Sequence, residues 1–391
     1  MCFILFDGPE RDHLLPFTYI RPVAHIRLGI DRLQDKWEAL LNQKCLLYTQ
    51  AYMQHKFSFQ PQAQNTFINA AILPTPGLVS AILTLGIDQA LVLNGQIIAA
   101  STQNPTPPSS LAGLHPVEWE GSIQRLQTAS DIFRLNDSAL RDDFKRLTHG
   151  RKSAPISATN RVLGKENIFV EASARVECAT LNAQEGPIYI GHNAHIMEGA
   201  LLRGSLAICD HSSVKMGAKI YGSTTLGPYS KMGGEINNLV VFGYSNKAHE
   251  GYLGNAVLGE WCNIGAGSNA SNLKNSFGKL RIWNYTTERF TQTDLQFCGL
   301  LMGDYSRCSI QSSFNTATVV GIAANLFGQG FPRNFIPSFS YGGASGMKTF
   351  LLDKAIESIQ AMMDRKSIGL DAQDKAILQS VFDHTAKYRK A

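Results

Sequence analysis

One aliphatic side chain recurs every six residues through the middle of this chain. Ile190, Ile196, Leu202, Ile208, Val214, Ile220, Leu226 and Met232 follow one another at that interval. The register returns at Tyr252, Leu258 and Ile264, and again at Met302, Cys308, Phe314, Val320 and Leu326. Glycine often comes next, as at Gly191, Gly227, Gly233 and Gly265. A helix cannot use this period, because residues six apart point about 120° away from each other. An ordinary strand alternates with period two and is weakened by glycine. Period six is the signature of a parallel β-helix, in which three hexads close one triangular coil and the periodic residue points inward. Two stretches interrupt the pattern, 237–251 and 270–300, and loops that leave a rigid scaffold are where binding groups are usually carried.

The residues before the repeat read differently. CFILF (2–6), KCLLYT (44–49) and NTFINA (65–70) are short apolar runs that predict strands. Val23, Ile26, Ile30, Leu33, Trp37, Leu40 and Leu41 fall at spacings of three and four and predict one amphipathic helix. Thr75-Pro76 opens a second helix that ends on Gly86, and Asn94-Gly95 between two apolar runs predicts a hairpin. A further helix is expected near 137–147, and QNPTPPSSLAG (103–113) reads as a surface loop. Strand–helix–strand alternation points to an α/β domain over residues 1–155. The β-helix is expected over 160–345. The tail, 346–391, reads as two amphipathic helices that pack on protein rather than on a membrane.

Composition narrows the partners. The formal charge is +5, from 36 basic and 31 acidic residues, without a basic run, which is weak ground for nucleic acid and compatible with an anionic substrate. Seven scattered cysteines, with no C-x-x-C pair, read as reduced thiols. The N-terminal apolar run is too short for a signal peptide, and no stretch approaches the ~18 apolar residues of a membrane span. A cytoplasmic location is expected.

The hexads resemble the left-handed β-helix acyltransferase family, and the handedness is carried over from that resemblance. The stretch GGEINNLVVFGYSNKAHEGYLGNAVLGEWCNIGAGSNASNLK (233–274) resembles the acetyltransferase half of bifunctional N-acetylglucosamine-1-phosphate uridylyltransferase/glucosamine-1-phosphate acetyltransferases. In that family a K-x-x-H-x-x-Y-x-G pattern carries the general base. The resemblance implies that His249 is the base, that Tyr252, Asn263 and Asn272 bind the acceptor, and that Ala266 lies beside acetyl-CoA. Lys215 takes the place of a phosphate-binding arginine, and Asn237 stands where the family has a lysine, with Lys274 or Lys279 as possible substitutes. An imidazole, titrating near pH 6.5 in general, suits the removal of a proton from an attacking amine. Isolated histidines are more often structural or solvated, and Tyr252, in the inward register, can equally be a packing residue.

LLPFTYIRPVAHIRLG (14–29), with HEGYLGNAVLGEWCN and GFPRNFIPSFSYGG, resembles a group of bacterial sugar nucleotidyltransferases over nearly the whole chain. The resemblance implies that Arg21 and Arg27 meet nucleotide phosphates, although either can equally pair with a carboxylate such as Asp12 or Glu38. No glycine-rich phosphate loop follows the first strand. Mg²⁺ is implied if UTP or another nucleoside triphosphate is used, with Asp7 as a candidate ligand. The resemblance implies a homotrimer, and the expected protein is a sugar-nucleotide enzyme that acetylates an amino-sugar phosphate on the β-helix, with nucleotidyl transfer to a sugar 1-phosphate as a further activity open to the N-terminal domain. The alternatives are a sugar-phosphate nucleotidyltransferase whose β-helix only builds the oligomer, and a non-catalytic sugar-nucleotide-binding protein.

Overall fold

A computed structural model of the chain describes residues 2–389. They form two compact units. The first comprises residues up to Leu14, then Ile20–Ile26 and Asp31–Thr128, and the second takes Leu15–Tyr19, Arg27–Ile30 and everything from Ala129. The division therefore falls at 128/129 rather than near 155.

The first unit is a six-stranded mixed sheet. Strands β1 (Cys2–Phe6), β2 (Leu46–Tyr48), β3 (Asn65–Asn69), β4 (Gln89–Leu93), β5 (Gln96–Thr102) and β6 (His115–Glu118) lie in the order β2-β1-β3-β5-β4-β6. β1 runs parallel to both β2 and β3, and β5 is antiparallel to β3 and β4. Asn94 and Gly95 turn the β4–β5 hairpin with φ of 51° and 74°, the conformation that Asn-Gly favours. Helix α1 is shorter than the apolar spacing predicts. It spans Leu33–Leu41, and Val23–His25 is a separate 3₁₀ turn. Helix α2 (Pro76–Leu83) has Thr75 as its cap, whose hydroxyl accepts the Leu78 N–H at 3.2 Å.

The second unit is a left-handed parallel β-helix of about ten coils, followed by two helices. Its strands pair in register along three faces from Arg161–Leu163 to Ser340–Gly343. Ile190, Ile196, Leu202, Ile208, Val214, Ile220, Leu226 and Met232 are all at most 2% exposed and fill one continuous apolar column. Met302, Cys308, Phe314, Val320 and Leu326 continue it. Tyr252 does not. Leu253 is the inward residue, aligned with Ile236 and Ala270, and Tyr252 faces outward. Residues 237–251 do not leave the coil either. Glu235–Gly243 is one strand whose Ile236, Leu239 and Val241 all point inward. The stretch 270–300 does leave it, as an antiparallel hairpin of Arg281–Asn284 with Arg289–Gln292.

Helices α3 (Asp131–Arg134) and α4 (Asn136–Thr148) pack in this second unit. Leu140 of α4 joins Phe169, Tyr189, Ala207 and Cys209 on one outer face, together with Ile30. This contact draws the 129–155 segment away from the sheet domain in which the sequence places it. At one corner, His211, Tyr229, Tyr244 and Trp261 all take positive φ and stack with ring centroids 4.6, 5.0 and 4.4 Å apart. Helices α5 (Leu352–Asp364) and α6 (Ala372–His384) follow, and Phe382 of α6 packs edge-on against Phe339 at 5.1 Å. All seven cysteines are free, and five are buried.

One inward position carries a charge. Lys247 lies between Met232 and Ile264 on its face and is 2% exposed. Its Nζ donates to the carbonyl of His249, and burial pulls its pKa down to about 8. Between that value and the ordinary 10.5 the unfolded chain holds a proton that the folded chain has lost, so this residue's contribution to stability rises with pH across that window. Below it the full cost of burying the charge remains. Lys247→Met should therefore stabilise the fold at pH 7 by about 1–2 kcal/mol after the lost hydrogen bond. The gain should shrink between pH 8 and 10.5, as read from urea unfolding of both proteins.

Candidate functional site

The corner that carries His249 is built by a short turn beneath it. Val214 and Ile220 are separated by residues 215–219, and Lys247 and Leu253 by 248–252, but Met232 and Ile236 only by Gly233, Gly234 and Glu235. The middle coil therefore cuts the corner. Only glycine permits it. A Cβ on Gly233 would meet the Ala248 carbonyl at 2.5 Å, and one on Gly234 would meet Lys247 Nζ at 2.8 Å and the His249 carbonyl at 2.9 Å. The indentation leaves Met216 67% exposed on the coil below and His249 exposed on the coil above. His249 is exposed, and its ring makes no hydrogen bond to any described residue. The lysine before it stands two residues away, one fewer than in the K-x-x-H pattern, and is turned into the core.

Three of the residues singled out in the sequence converge. The Tyr252 hydroxyl accepts from Asn272 Nδ2 at 3.0 Å, and Asn237 also hydrogen-bonds it. Asn272 Nδ2 reaches Asn255 Oδ1 at 2.7 Å as well. Burial raises the Tyr252 pKa, against the pull of both asparagines. Gly254 makes room for the ring, since a Cβ there would lie 2.3 Å from the Tyr252 oxygen. Tyr252 follows His249 by three residues, so their Cα atoms are at most about 10 Å apart. Ala266 sits one coil above His249 on the same corner, half-buried, with its carbonyl accepting the Gln311 N–H at 2.8 Å. Asn263 is exposed on the strand leading to that corner. Lys215 lies below Gly233, within 3.3 Å of where a Cβ on that glycine would stand, so it borders the indentation from the opposite side. Lys279 pairs with Asp294, whereas Lys274 lines a separate cavity.

Arg21 and Arg27 belong to different units. Arg21 is 5% exposed. Arg27 Nε donates to the Phe242 carbonyl at 2.9 Å and its Nη1 to the Ile30 carbonyl. The IRLG segment is held further by Asn136 Oδ1 on the Gly29 N–H and Asp143 Oδ2 on the Ile30 N–H, both at 2.8 Å. Gly29 has φ +74°, and a Cβ there would lie 2.5 Å from Asp143. Arg27 thus braces a strand of the β-helix. Sequence reasoning missed these two acidic and amide partners, because on a helix such residues read as a solvated face.

In the first unit, polar groups gather where β1 and β3 end. Asn69 Nδ2 donates to both oxygens of Glu10, at 3.3 and 3.1 Å, and Arg125 pairs with Glu10 at 3.2 Å. Asp7 holds the Val23 N–H at 2.8 Å and the Thr49 hydroxyl at 2.6 Å, one on each oxygen. It acts as a clamp between segments, which does not fit a metal ligand. Among the described residues no cluster of three or more His, Cys, Asp or Glu side chains is placed to hold a metal ion. No helix among them is long and apolar enough to cross a membrane.

Residues 3–152 match a family described as sugar nucleotidyl transferase. The matched region includes both the Arg27–Ile30 segment and α4, which hydrogen-bond to each other through Asn136 and Asp143. A solved hexapeptide transferase family protein from Anaplasma phagocytophilum aligns with 15% identity over 59% of this chain and 91% of its own, at a TM-score of 0.19. The β-helix itself rests on the strand pairing, and the family match supports a sugar-nucleotide-related transferase.

Desolvation pushes the Asp7 carboxyl up to about 6, against its two hydrogen bonds and Arg11. Between its ordinary 3.8 and that value the folded chain holds the extra proton, so stability falls as pH rises through the window. Asp7→Asn should leave stability unchanged at about pH 4 and raise it by roughly 1–2 kcal/mol at about pH 7.5, measured by denaturant unfolding at both pH values.

Proposed function

We propose that this chain transfers an acetyl group from acetyl-CoA to the amine of an amino-sugar phosphate at the His249 corner. The observation that carries the proposal is an imidazole without a protein partner, standing over a coil corner shortened by Gly233 and Gly234. The amine nitrogen attacks the thioester carbonyl, and His249 takes the proton that the nitrogen sheds. The tetrahedral oxyanion collapses, the C–S bond breaks, and the departing sulfur recovers the proton from the imidazolium. Tyr252, with its hydroxyl oriented by Asn237 and Asn272, lines the acceptor side, and Asn263 extends it. Lys215 supplies a point charge for the phosphate, in place of the bidentate grip an arginine would give. Ala266 gives the thioester a small neighbour on the coil above. A homotrimer, in which a neighbouring β-helix closes the open corner, completes this reading.

A second activity is favoured by the match over residues 3–152: nucleotidyl transfer to a sugar 1-phosphate on the first unit. Ligands of open α/β sheets bind beyond the carboxyl ends of parallel strands, and β1, flanked by parallel β2 and β3, offers that position at Asp7–Arg11. Mg²⁺ would arrive on the triphosphate, since Asp7 is already engaged.

His249→Ala should lower acetyl transfer by roughly two to four orders of magnitude with folding intact, in a thiol-release assay with acetyl-CoA and hexosamine phosphates. An unchanged rate overturns the assignment. Pyrophosphate release from a nucleoside triphosphate and a sugar phosphate should survive that substitution undiminished, because the first unit would carry it.

A further inference from the structure

A large cavity in the second unit lies far from His249 along the coil axis. It has a volume of about 890 Å³ and opens between the 281–292 hairpin, the last coils and the segment after α6. Lys274, Arg281, Arg333, Lys348 and Arg389 line it, and among the described residues no carboxylate does. None of the five forms an ion pair with a described residue. Lys274 donates to the Lys279 carbonyl at 2.9 Å and Arg281 to the Phe290 carbonyl at 3.0 Å, so each keeps its charge uncompensated. Arg389 is braced by the Ser338 and Phe382 carbonyls. Arg389 lies over the Phe382 ring and feels the Asp383 charge, but the other four cations share one concavity and repel one another unless an anion joins them.

The same cavity has an aromatic wall. Phe335 stacks on Trp283 with ring centroids 3.9 Å apart and meets Tyr388 edge-on at 5.6 Å. Phe331, also in the lining, is 58% exposed. The Gly343–Gly346 turn forms the rim. Gly346 has φ +142°, and a Cβ there would meet nothing within 4 Å, so the rim stays open at that point. Phosphate oxygens suit the guanidinium and ammonium groups, while a flat heterocycle suits the ring faces. The volume is within the range of small-molecule sites.

We propose that this cavity binds a nucleoside polyphosphate, with the phosphates among Lys274, Arg281, Arg333 and Lys348 and the base against Phe331 and Phe335. The chemistry is shared by free nucleoside triphosphates and by the adenosine diphosphate end of coenzyme A. The inference does not rest on the acetyl-transfer reading, since it uses no residue of the His249 corner.

Isothermal titration of the full chain with UTP, ATP, coenzyme A and inorganic triphosphate tests it. At least one nucleotide should bind, more tightly than inorganic triphosphate, and weaken as salt is raised. Competition between coenzyme A and the triphosphates identifies the source. Arg333 and Lys348 are exposed, so Arg333→Glu/Lys348→Glu should keep the thermal midpoint of the unliganded protein and lower the affinity at least tenfold. A separate Phe331→Ala should weaken nucleotides but not inorganic triphosphate. Absence of binding, equal binding of inorganic triphosphate, or full affinity in the double variant overturns the proposal. His249→Ala should leave this binding unchanged while removing any acetyl transfer, so the two readings fail separately.

Discussion

Parallel stacking of coils imposes one demand on every turn of the β-helix. Each face must send one side chain into a narrow prism that water does not enter, and that side chain must fit the ones above and below it. Ile208, Leu226, Val241, Leu258, Met302, Val320 and Ile336 meet that demand along one face. Because the backbone N–H and C=O groups pair with the neighbouring coils, the chain is free to vary only at the corners and in excursions. The His249 corner and the 270–300 excursion are where the second unit uses that freedom.

The His249 corner shows what such freedom allows. Removing two residues from one turn draws the middle coil inward, and the coils on either side then overhang it. Two glycines make the close approach possible, and their cost in chain entropy is met by the pairing on both sides. The inward Lys247 belongs to the same construction. Its ammonium reaches out of the apolar column to the His249 carbonyl, so it fixes the backbone on which the imidazole stands. A methionine there would pack better and hold that carbonyl less firmly. Stability is given up at the position where the backbone has to be held.

The period of six was legible because no other structure tolerates it, and the eight residues from Ile190 to Met232 all point inward as it requires. It misled wherever a coil is short. Counting back six from Leu258 reaches Tyr252, but the real step is five and the inward residue is Leu253. Steps of four at Met232–Ile236 and five at Ile236–Val241 likewise looked like a loss of register when they were only tight corners. In the first part of the chain, Val23, Ile26 and Ile30 have helical spacing and are all buried, yet Gly29 at φ +74° breaks any helix between them. Apolar spacing reports which residues are buried and not which backbone buries them. The convergence of Asn237, Tyr252 and Asn272 was readable only through resemblance. Asn136, Asp143 and the basic cavity were not readable at all, since their partners lie far away in sequence.

The regularity of the coil also sets how far apart its two candidate sites are. Strand register carries the His249 corner upward through Ala266, Ile310 and Gly328 to Ala344, which lines the basic cavity. Four coil steps at the spacing of paired strands amount to about 19 Å. A sugar phosphate, if the proposed acceptor site at Tyr252 and Lys215 holds one, would be too compact to touch Arg333 or Lys348 from there. Any coupling between the corner and the cavity must then run through a ligand with a long, narrow arm or through the coil itself. The coil is a poor conductor of such a signal, because its closely packed inward column has no second arrangement to adopt. A molecule that spans the distance would bring its phosphates and its reactive end to two separately built places, and shortening its arm would cost it one of them.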